Sequence, residues 1–273
     1  MNEHVKSKQK QTTHFGFEEI PVTEKAQRVG QVFHSVADKY DLMNDLMSVG
    51  LHRLWKRLAI QSLALRSGHC VLDLAGGTGD LTTLINRHIG THGQMYLADI
   101  NDSMLRVGYQ RLLDRGIANK VKFVLANAEC LPFSSNYFDR IIIGFGLRNV
   151  TDKGAALRSM YRCLKPGGKL VILEFSQPIF KLLSKVYDGY SFNLLPKLGK
   201  LITKDEASYR YLAESIRKHP NQNTLKNMLE QSGFEDCDVI NLSAAIPIRN
   251  KSFRRPLIEV SASPIIFERN SMP

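Results

Sequence analysis

Two acidic residues and a cluster of glycines form the pattern in this chain that bears most directly on chemistry. An apolar run contains Asp73, and glycines follow at positions 76, 77 and 79. A second apolar run ends at Asp99, twenty residues beyond Gly79. Glycines let the backbone approach a ligand closely, and a carboxylate at the second position can accept hydrogen bonds from both hydroxyls of a ribose. The pattern predicts a nucleoside cofactor at the carboxyl end of a parallel sheet.

The spacing of the glycines separates two kinds of nucleoside cofactor. A dinucleotide-binding loop has a further glycine three residues after its second, but Thr82 stands three residues after Gly79. The stretch from Asp73 to Gly79 resembles instead the loop of class I S-adenosylmethionine-dependent methyltransferases, with Ala75 in the place of the first glycine. We therefore expect S-adenosylmethionine as the cofactor, and a nicotinamide dinucleotide is the weaker alternative.

This resemblance implies which residues contact the cofactor. Asp99 would bind the ribose, and Asn127 and Ala128, after the third predicted strand, would contact the adenine. The alternative for Asp99 is a role as the N-cap of the following helix. The complete set of expected cofactor contacts is Asp73, Gly77, Thr78, Gly79, Asp99, Asn127, Ala128 and Gly144.

The elements around these residues predict an α/β fold. Short, nearly continuous apolar runs alternate with amphipathic segments, as in a parallel sheet that is covered on both faces. We expect a doubly wound, Rossmann-like sheet of the class I methyltransferase type, in which residues 165–168 form the turn before strand five. The predicted strands are Cys70–Leu74, Gln94–Ala98, Val121–Ala126, Arg140–Gly144 and Lys169–Phe175, with Asp238–Leu242 as a sixth.

The chain divides into four predicted regions. Residues 1–22 are polar and are expected to be flexible, and residues 23–66 have helical periodicity and are expected to form two or three helices of a substrate cap. Residues 67–242 are the cofactor-binding domain, within which residues 178–206 form a helical insertion after strand five. Residues 243–273 form an atypical C-terminal segment.

Composition narrows the function classes. The four cysteines are widely spaced, without a CxxC pair, which argues against a zinc site or a disulfide framework and favours a reducing cytoplasm. The longest apolar runs are far too short to cross a bilayer. The net charge of +11 is compatible with nucleic acid, with an anionic membrane surface, or simply with solubility, and does not choose among them.

Further segments resemble the ubiquinone/menaquinone biosynthesis C-methyltransferase family. The resemblance covers residues 12–242 and implies methylation of a ring carbon of a polyprenyl-benzoquinol or of demethylmenaquinol. It also implies a cofactor contact at position 144, where the family usually has a serine and where Gly144 can offer only backbone atoms. It implies a polyprenyl quinol as substrate, leaves room for partner proteins of quinone biosynthesis, and gives no reason to expect nucleic acid. The segments that carry it are Thr12–Phe17, Val32–Ala37, Lys39–Asn44, His52–Lys56, Phe145–Val150 and Tyr209–Ser215.

The chemistry of ring methylation suggests roles for several side chains. A ring carbon attacks a sulfonium methyl group more readily when a neighbouring phenolate enriches it, so the substrate should be the reduced quinol. We hypothesise that Arg148 stabilises the phenolate or orients a water that accepts the ring proton, and that Asn149 holds the loop. His34, Tyr40 and Asp41 are further candidates for contact with the substrate hydroxyls. The alternatives are that Arg148 belongs to a structural ion pair and that His34 is an ordinary helix residue.

The apolar residues of the insertion suit an isoprenoid tail or, alternatively, a helix pair packed on the sheet edge. With the charge of +11, they predict a cytoplasmic protein with peripheral contact to an anionic membrane. A nucleic-acid methyltransferase and a non-catalytic binding module are the rival functions. The chain also lacks the usual ending of the family. We expect either Leu257–Val260 or Ile265–Glu268 to replace the final strand, and a frame change in the coding sequence near Ser243 is the alternative explanation.

Overall fold

An antiparallel hairpin begins the part of the chain that the structure describes. The structure, a computed structural model, describes residues 12–37, 40–48, 50–175, 205–242 and 264–268, with the backbone alone at positions 40, 41, 46, 47 and 264–268. Strand β1 (Thr12–Phe15) pairs with β2 (Glu18–Pro21). Residues 12–21 were expected to belong to a flexible segment, and for them that expectation is wrong. Long-range contacts explain the difference, because the Phe15 ring stacks on the Tyr211 ring at 4.2 Å between centroids.

Three helices follow the hairpin, in agreement with the helical periodicity before the sheet. They are α1 (Val22–Val36), α2 (Tyr40–Ser48) and α3 (His52–Ser62). Helix α1 buries Val29, Val32 and Val36, which recur at helical spacing on one face. This buried face packs α1 against the domain, and α1 makes hydrogen bonds to two of the loops that leave the sheet.

A parallel sheet of five strands forms the centre of the domain, as the apolar runs predicted. Its strand order is β5-β4-β3-β6-β7, followed by the antiparallel strands β9 and β8. The order reverses next to β3, where a doubly wound sheet opens a crevice for a ligand. The strands are β3 (Cys70–Leu74), β4 (Gln94–Asp99), β5 (Val121–Leu125), β6 (Phe138–Gly144), β7 (Leu164–Phe175), β8 (Asp238–Asn241) and β9 (Pro264–Glu268).

Helices cover both faces of this sheet. Alternate strand residues separate the two cores: Val71 and Ile142 belong to one, and Leu72 and Ile141 to the other. The helices after β3 are α4 (Asp80–Asn86), α5 (Asp102–Asp114), α6 (Lys153–Cys163), α7 (Glu206–Lys218) and α8 (Gln222–Gln231). Helices α3, α4, α5 and α7 contribute to the first core, and α6 and α8 contribute to the second.

The start of β7 differs from the sequence prediction. Residues 165–168 were expected to form a turn before the strand, but β7 begins at Leu164. The pairing passes from Leu164 opposite Phe138 to Lys169 opposite Arg140, so residues 165–168 form an irregularity within the ladder. Gly167 has φ +75°, which a glycine adopts without steric cost. The predicted turn is therefore a bulge that lies inside the strand.

The last strand confirms one of the two expectations for the C-terminal segment. Strand β9 pairs antiparallel with both β7 and β8, so Ile265–Glu268 takes the place of the usual final strand. The other candidate, Leu257–Val260, lies outside the described residues, as does nearly all of the insertion 178–206. Within the described ranges, no helix has the length and apolarity needed to span a bilayer.

The position of β9 between β7 and β8 gives a prediction about stability. A chain that ends at Ser263 loses β9 and leaves the hydrogen-bonding edges of β7 and β8 without their partner. We expect its melting temperature to fall by about 5 °C or more. A chain that ends at Asn270 keeps β9 and is the matched control. Equal melting temperatures of the two shortened chains would show that the ladder adds no stability.

Candidate functional site

A cleft lies at the carboxyl ends of the parallel strands, between these ends and helix α1. About 930 Å³ between its walls is not filled by atoms, and this volume includes space that is open to solvent. The walls come from α1, from the loops after β3, β4, β5 and β6, and from the start of α5. The residues that line the cleft are Ala26, Val29, Gly30, Phe33, Leu74, Ala75, Gly77, Asp99, Ile100, Asn101, Met104, Ala126–Glu129, Phe145, Gly146 and Asn149–Thr151.

The glycine loop after β3 forms the floor of the cleft. Gly77 has φ +51° and Gly79 has φ +79°, so both adopt the left-handed conformation that favours glycine. A Cβ atom at Gly108, on α5, would lie 2.6 Å from the carbonyl oxygen of Gly77. The sequence prediction missed Gly108, whose small size lets α5 approach the loop. The loop is therefore held at a fixed distance from the first turns of α5.

Asp99 joins this loop to the end of β4. Its Oδ2 accepts a hydrogen bond from the Gly77 N–H at 2.9 Å, and its Oδ1 accepts one from the Asn101 N–H at 2.9 Å. Burial raises the pKa of Asp99 to about 6, against the opposing effect of these backbone donors. The helix cap is Asn101, whose side chain accepts from the Met104 N–H. The N-cap alternative for Asp99 is therefore wrong, and its carboxylate lies in the cleft wall.

Asp73 holds the beginning of α4 from below the loop. Its Oδ2 accepts hydrogen bonds from both the backbone N–H and the hydroxyl of Thr82, at 2.9 and 2.7 Å. Burial raises the pKa of Asp73 to about 7. Its Oδ1 is buried without a partner among the described residues, and a Cβ at Gly76 would lie 2.8 Å from the carboxyl carbon. Asp73 does not itself line the cleft, so its direct contact with a cofactor stays a prediction.

The segment after β5 forms the wall opposite the glycine loop. Asn127 and Ala128 both line the cleft, and the Asn127 side chain accepts a hydrogen bond from the Glu129 N–H at 3.0 Å. Glu129 Oε1 accepts hydrogen bonds from the N–H groups of Thr151 and Asp152. The sequence analysis placed Glu129 in the adenine-binding segment, and in the structure its carboxylate ties the loop after β5 to the loop after β6.

Two other residues expected at the cofactor lie behind the wall. The Thr78 side chain is buried, and Thr78 is not among the residues that line the cleft. Gly144 ends β6, where a Cβ would lie 2.7 Å from a methyl group of Leu81. The space that a serine side chain would need is thus partly occupied by Leu81. Both contacts remain predictions.

The loop after β6 is held in a strained conformation. Phe145 has φ +57°, which costs a residue with a Cβ about 1–2 kcal/mol. Its buried ring stacks on Phe175 at 4.7 Å between centroids. Its N–H donates to the Leu173 carbonyl at 2.7 Å. These contacts place the Phe145 ring in the cleft wall, where aromatic and apolar groups lie next to the backbone of the loop.

A buried ion pair closes the same loop. The Arg148 guanidinium donates from Nη1 to Glu174 Oε1 at 2.7 Å and to the Phe145 carbonyl. The other carboxylate oxygen of Glu174 accepts the Arg148 backbone N–H at 3.1 Å. Arg148 therefore forms the structural ion pair that the sequence analysis gave as the alternative to a contact with the substrate. Its proposed contact with the substrate stays a prediction, since its side chain is fully buried and does not line the cleft.

The remaining candidates differ in their positions. Asn149 lines the cleft, and its side-chain oxygen accepts a hydrogen bond from the Tyr211 hydroxyl at 2.9 Å. His34 is exposed, and its Nδ1 lies 2.9 Å from the Ser103 hydroxyl. Tyr40 and Asp41 lie in α2, but their side chains are outside the described atoms. The structure thus brings Asn149 to the cleft and places His34 at the junction of α1 and α5.

The residues present fit S-adenosylmethionine. A carboxylate, Asp99, lies in the wall where a ribose would need an acceptor, and side chains are excluded sterically at Gly76 and Gly77 beside it. The apolar residues Val29, Phe33 and Met104 line the cleft as well. Single-sequence reasoning missed these three because their spacing in α1 and α5 looks like ordinary core packing.

The buried ion pair generates a prediction about stability. Arg148→Ala leaves the Glu174 carboxylate buried without its cationic partner, so we expect a loss of about 3–5 kcal/mol in the free energy of unfolding. Arg210→Ala removes an exposed pair with Glu206 and should cost about 0.5 kcal/mol or less. Urea unfolding of both variants measures the difference. A loss in Arg148→Ala no larger than in Arg210→Ala would contradict the structural role of this pair.

Solved structures of low sequence identity share the fold. A methyltransferase from Aquifex aeolicus, described as SAM dependent, superposes with a TM-score of 0.57 at 15% identity, over 88% of this chain and 98% of that chain. The 4+2 cyclase SpnF superposes with a TM-score of 0.57 at 19% identity, over 79% of this chain and 75% of that chain. These likenesses concern architecture, and a fold shared with a cyclase does not by itself assign a reaction.

Close relatives are found among curated bacterial proteins. One from Marinomonas sp. (strain MWYL1) is 62% identical over 90% of this chain and 98% of its own length, and one from Cellvibrio japonicus is 59% identical over 90% and 99%. Each is named "Ubiquinone/menaquinone biosynthesis C-methyltransferase UbiE". The family described as the ubiE/COQ5 methyltransferase family matches residues 22–251. With the cleft geometry and this match over most of its length, the chain belongs to the ubiE/COQ5 methyltransferase family.

Proposed function

We propose that this protein methylates a ring carbon of a reduced polyprenyl quinol, in ubiquinone and menaquinone biosynthesis, with S-adenosylmethionine as the methyl donor. The observation that carries the proposal is the identity of about 60% to relatives named for this activity, along nearly their whole length. The cleft supports it, because a ribose acceptor and a wall of apolar and aromatic side chains lie in one cavity.

The cofactor half of the cleft binds and orients the donor. When bound, S-adenosylmethionine supplies an electrophilic methyl group on a sulfonium sulfur. In the proposal, the Asp99 carboxylate accepts the hydrogen bonds of the ribose hydroxyls, and Asn127 and Ala128 contact the adenine. The glycine loop from Gly77 to Gly79 lets the backbone approach the amino-acid part of the donor. These contacts fix the direction of the methyl group, and such alignment supplies much of the rate in a bimolecular transfer.

The other half of the cleft holds the aromatic ring. Phe33 offers an apolar face, while Phe145 lines the cleft with a side chain that is almost fully buried. The ion pair between Arg148 and Glu174 keeps the loop of Phe145 in place. The Asn149 side chain lies at the end of this loop and is oriented by the Tyr211 hydroxyl. In the proposal, the Asn149 amide holds a substrate hydroxyl. Arg148, paired with Glu174, acts as a positioning residue that holds this loop.

Peripheral contact with a membrane belongs to the same proposal. A polyprenyl quinol is an apolar solute of the bilayer, and in the proposal the enzyme collects it at the membrane surface. The net charge of +11 favours an anionic surface, to which basic residues contribute about 1 kcal/mol each. The segment 178–206, rich in Leu, Tyr and Phe, offers side chains suited to an isoprenoid tail.

The redox state of the substrate gives the first test of this proposal. With labelled S-adenosylmethionine, the purified protein should transfer methyl groups to the reduced form of a demethylated polyprenyl quinol, because the phenolic oxygen enriches the ring carbon. The oxidised quinone should accept at least about a hundredfold less label. Extraction into organic solvent and chromatography measure the product. Transfer of methyl groups to tRNA or rRNA, with none to quinols, would refute the proposal and support the rival function as a nucleic-acid methyltransferase.

Removal of the Asp99 charge gives a second test. Asp99→Asn should weaken the binding of S-adenosylhomocysteine about tenfold or more. The amide makes weaker, uncharged hydrogen bonds to the ribose hydroxyls, and it has one acceptor oxygen where the carboxylate has two. Asp102→Asn, on the exposed first turn of α5, is the control and should bind as the wild type does. Titration calorimetry measures both. Equal affinity of Asp99→Asn and the wild type for S-adenosylhomocysteine would show that this carboxylate does not bind the ribose.

The same measurement has a predicted pH dependence. Burial raises the pKa of Asp99 to about 6, so below this pH the unliganded protein holds it protonated. Ribose hydroxyls donate to the charged carboxylate, so binding favours loss of that proton. The affinity of the wild type should rise with pH and level off above the pKa of about 6. The part of this rise centred on that pKa should be missing in Asp99→Asn.

A further inference from the structure

A second groove lies on the sheet face that carries α3, α4 and α5, and its lining is strongly basic. Five cationic side chains and one carboxylate, that of Asp80, contribute to its walls. None of these residues lines the cofactor cleft, and the proposed reaction uses none of them. The cationic residues are Arg53, Lys56, Arg57, Arg87 and Arg115.

The ion pairs in this groove leave a surplus of positive charge. Lys56 pairs with Asp80 at 2.7 Å, and Arg53 pairs with Asp45 at 2.7 Å at the rim. Arg57, Arg87 and Arg115 have no carboxylate within 4.0 Å in the part of the chain that the structure describes, while Arg115 donates to the Thr83 hydroxyl. Three guanidinium groups thus face solvent together. Guanidinium groups match phosphate oxygens in geometry as well as in charge.

Exposed apolar side chains border the same groove. Leu51 and Leu54 are 47% and 43% exposed, and they share the outer side of the α3 region with the exposed Arg53 and Arg57. The inner side of α3 buries Trp55, whose ring meets Phe175 edge-on at 6.1 Å between centroids. Helix α3 therefore presents arginines and leucines outward, while its own packing is complete on the other side. This mixture is typical of a helix that lies at a lipid surface.

We infer that this groove and the outer side of α3 form a docking surface for an anionic phospholipid bilayer. Arg57, Arg87 and Arg115 bind the lipid phosphates, and Leu51 and Leu54 enter the boundary between headgroups and acyl chains. Exposed leucines add affinity for lipid but none for a nucleic-acid backbone, which favours the bilayer as the occupant. The inference deepens the proposed function and rests on it, because docking brings the protein to the layer that contains its quinol.

Charge reversal in the groove tests this inference. The double variant Arg57→Glu, Arg87→Glu is compared with the wild type in flotation with vesicles of phosphatidylcholine containing 30% phosphatidylglycerol, at low salt. We expect its partition coefficient to fall about tenfold or more, since each basic residue near such a surface contributes about 1 kcal/mol. Wild type should not bind vesicles of phosphatidylcholine alone.

The matched control reverses two charges on the opposite face of the sheet. Arg158→Glu in α6 with Lys226→Glu in α8 changes the net charge by the same amount and should keep near wild-type binding. A loss of binding in this control equal to that in the groove variant would show that net charge alone matters and would overturn the docking surface. So would unchanged binding of the groove variant, or wild-type protein that fails to float with anionic vesicles.

Two further measurements separate lipid from other phosphates, and docking from catalysis. Leu51→Ser with Leu54→Ser should weaken flotation with the anionic vesicles severalfold, and unchanged flotation would overturn insertion of these leucines. Methyl transfer to a short-chain, water-soluble quinol should be the same in the groove variant and the wild type, which also shows that the variant folds. If no protein transfers methyl groups, the proposed function fails, while the vesicle result still stands or falls by itself.

Discussion

A buried carboxylate at the end of β4 organises the cofactor side of this protein. Asp99 accepts one backbone N–H from the glycine loop after β3 and another from the first residues before α5. The hydrogen bond from Gly77 ties the loop after β3 to the end of β4, at the edge of the sheet where the cleft lies. Burial raises the pKa of Asp99 to about 6, so ligand hydroxyls that donate to this carboxylate would favour its charged form. In the proposed function, the same two oxygens also hold the ribose.

A buried ion pair holds the loop after β6 in place. Phe145 takes a left-handed conformation that a residue with a side chain adopts at a cost, and its ring packs on Phe175. Arg148 and Glu174 then lock the loop from behind, through the carbonyl of Phe145 and the backbone N–H of Arg148. Strain held in this way is common at sites that need a preorganised surface. The ion pair thereby keeps Phe145 and the Asn149 side chain in position at the cleft.

Sequence reasoning recovered the elements that depend on local pattern. The five parallel strands are apolar on both faces and short, so their runs predicted them closely, and the spacing from Gly79 to Asp99 placed the cleft. The hairpin at residues 12–21 was missed, because its stability comes from distant contacts such as Phe17 N–H with Glu214 and the stacking of Phe15 on Tyr211. No local pattern carries that information.

In the candidate site too, the sequence predicted what depends on local pattern and missed what depends on distant contacts. Asp99, Asn127, Ala128 and Asn149 lie at the cleft as expected, since each follows a strand whose end is fixed by the sheet. Gly108, which lets α5 approach the glycine loop, belongs to no motif that a single sequence could reveal. The adenine-binding segment predicted from the sequence includes Glu129, but its hydrogen bonds to the loop after β6 could not be predicted. Arg148 shows the limit most clearly, because a charged residue in a loop suggests a substrate contact until its buried partner, Glu174, is known.

We propose that Asp99 and the glycine loop hold the ribose of S-adenosylmethionine in the cleft. A crystal structure of the full chain with S-adenosylhomocysteine measures this contact. We expect both ribose hydroxyls within hydrogen-bond distance of the Asp99 carboxylate, and the sulfur directed toward Phe145 and Asn149. A ligand whose ribose lies elsewhere, with Asp99 still bound only to its two backbone donors, would refute this contact.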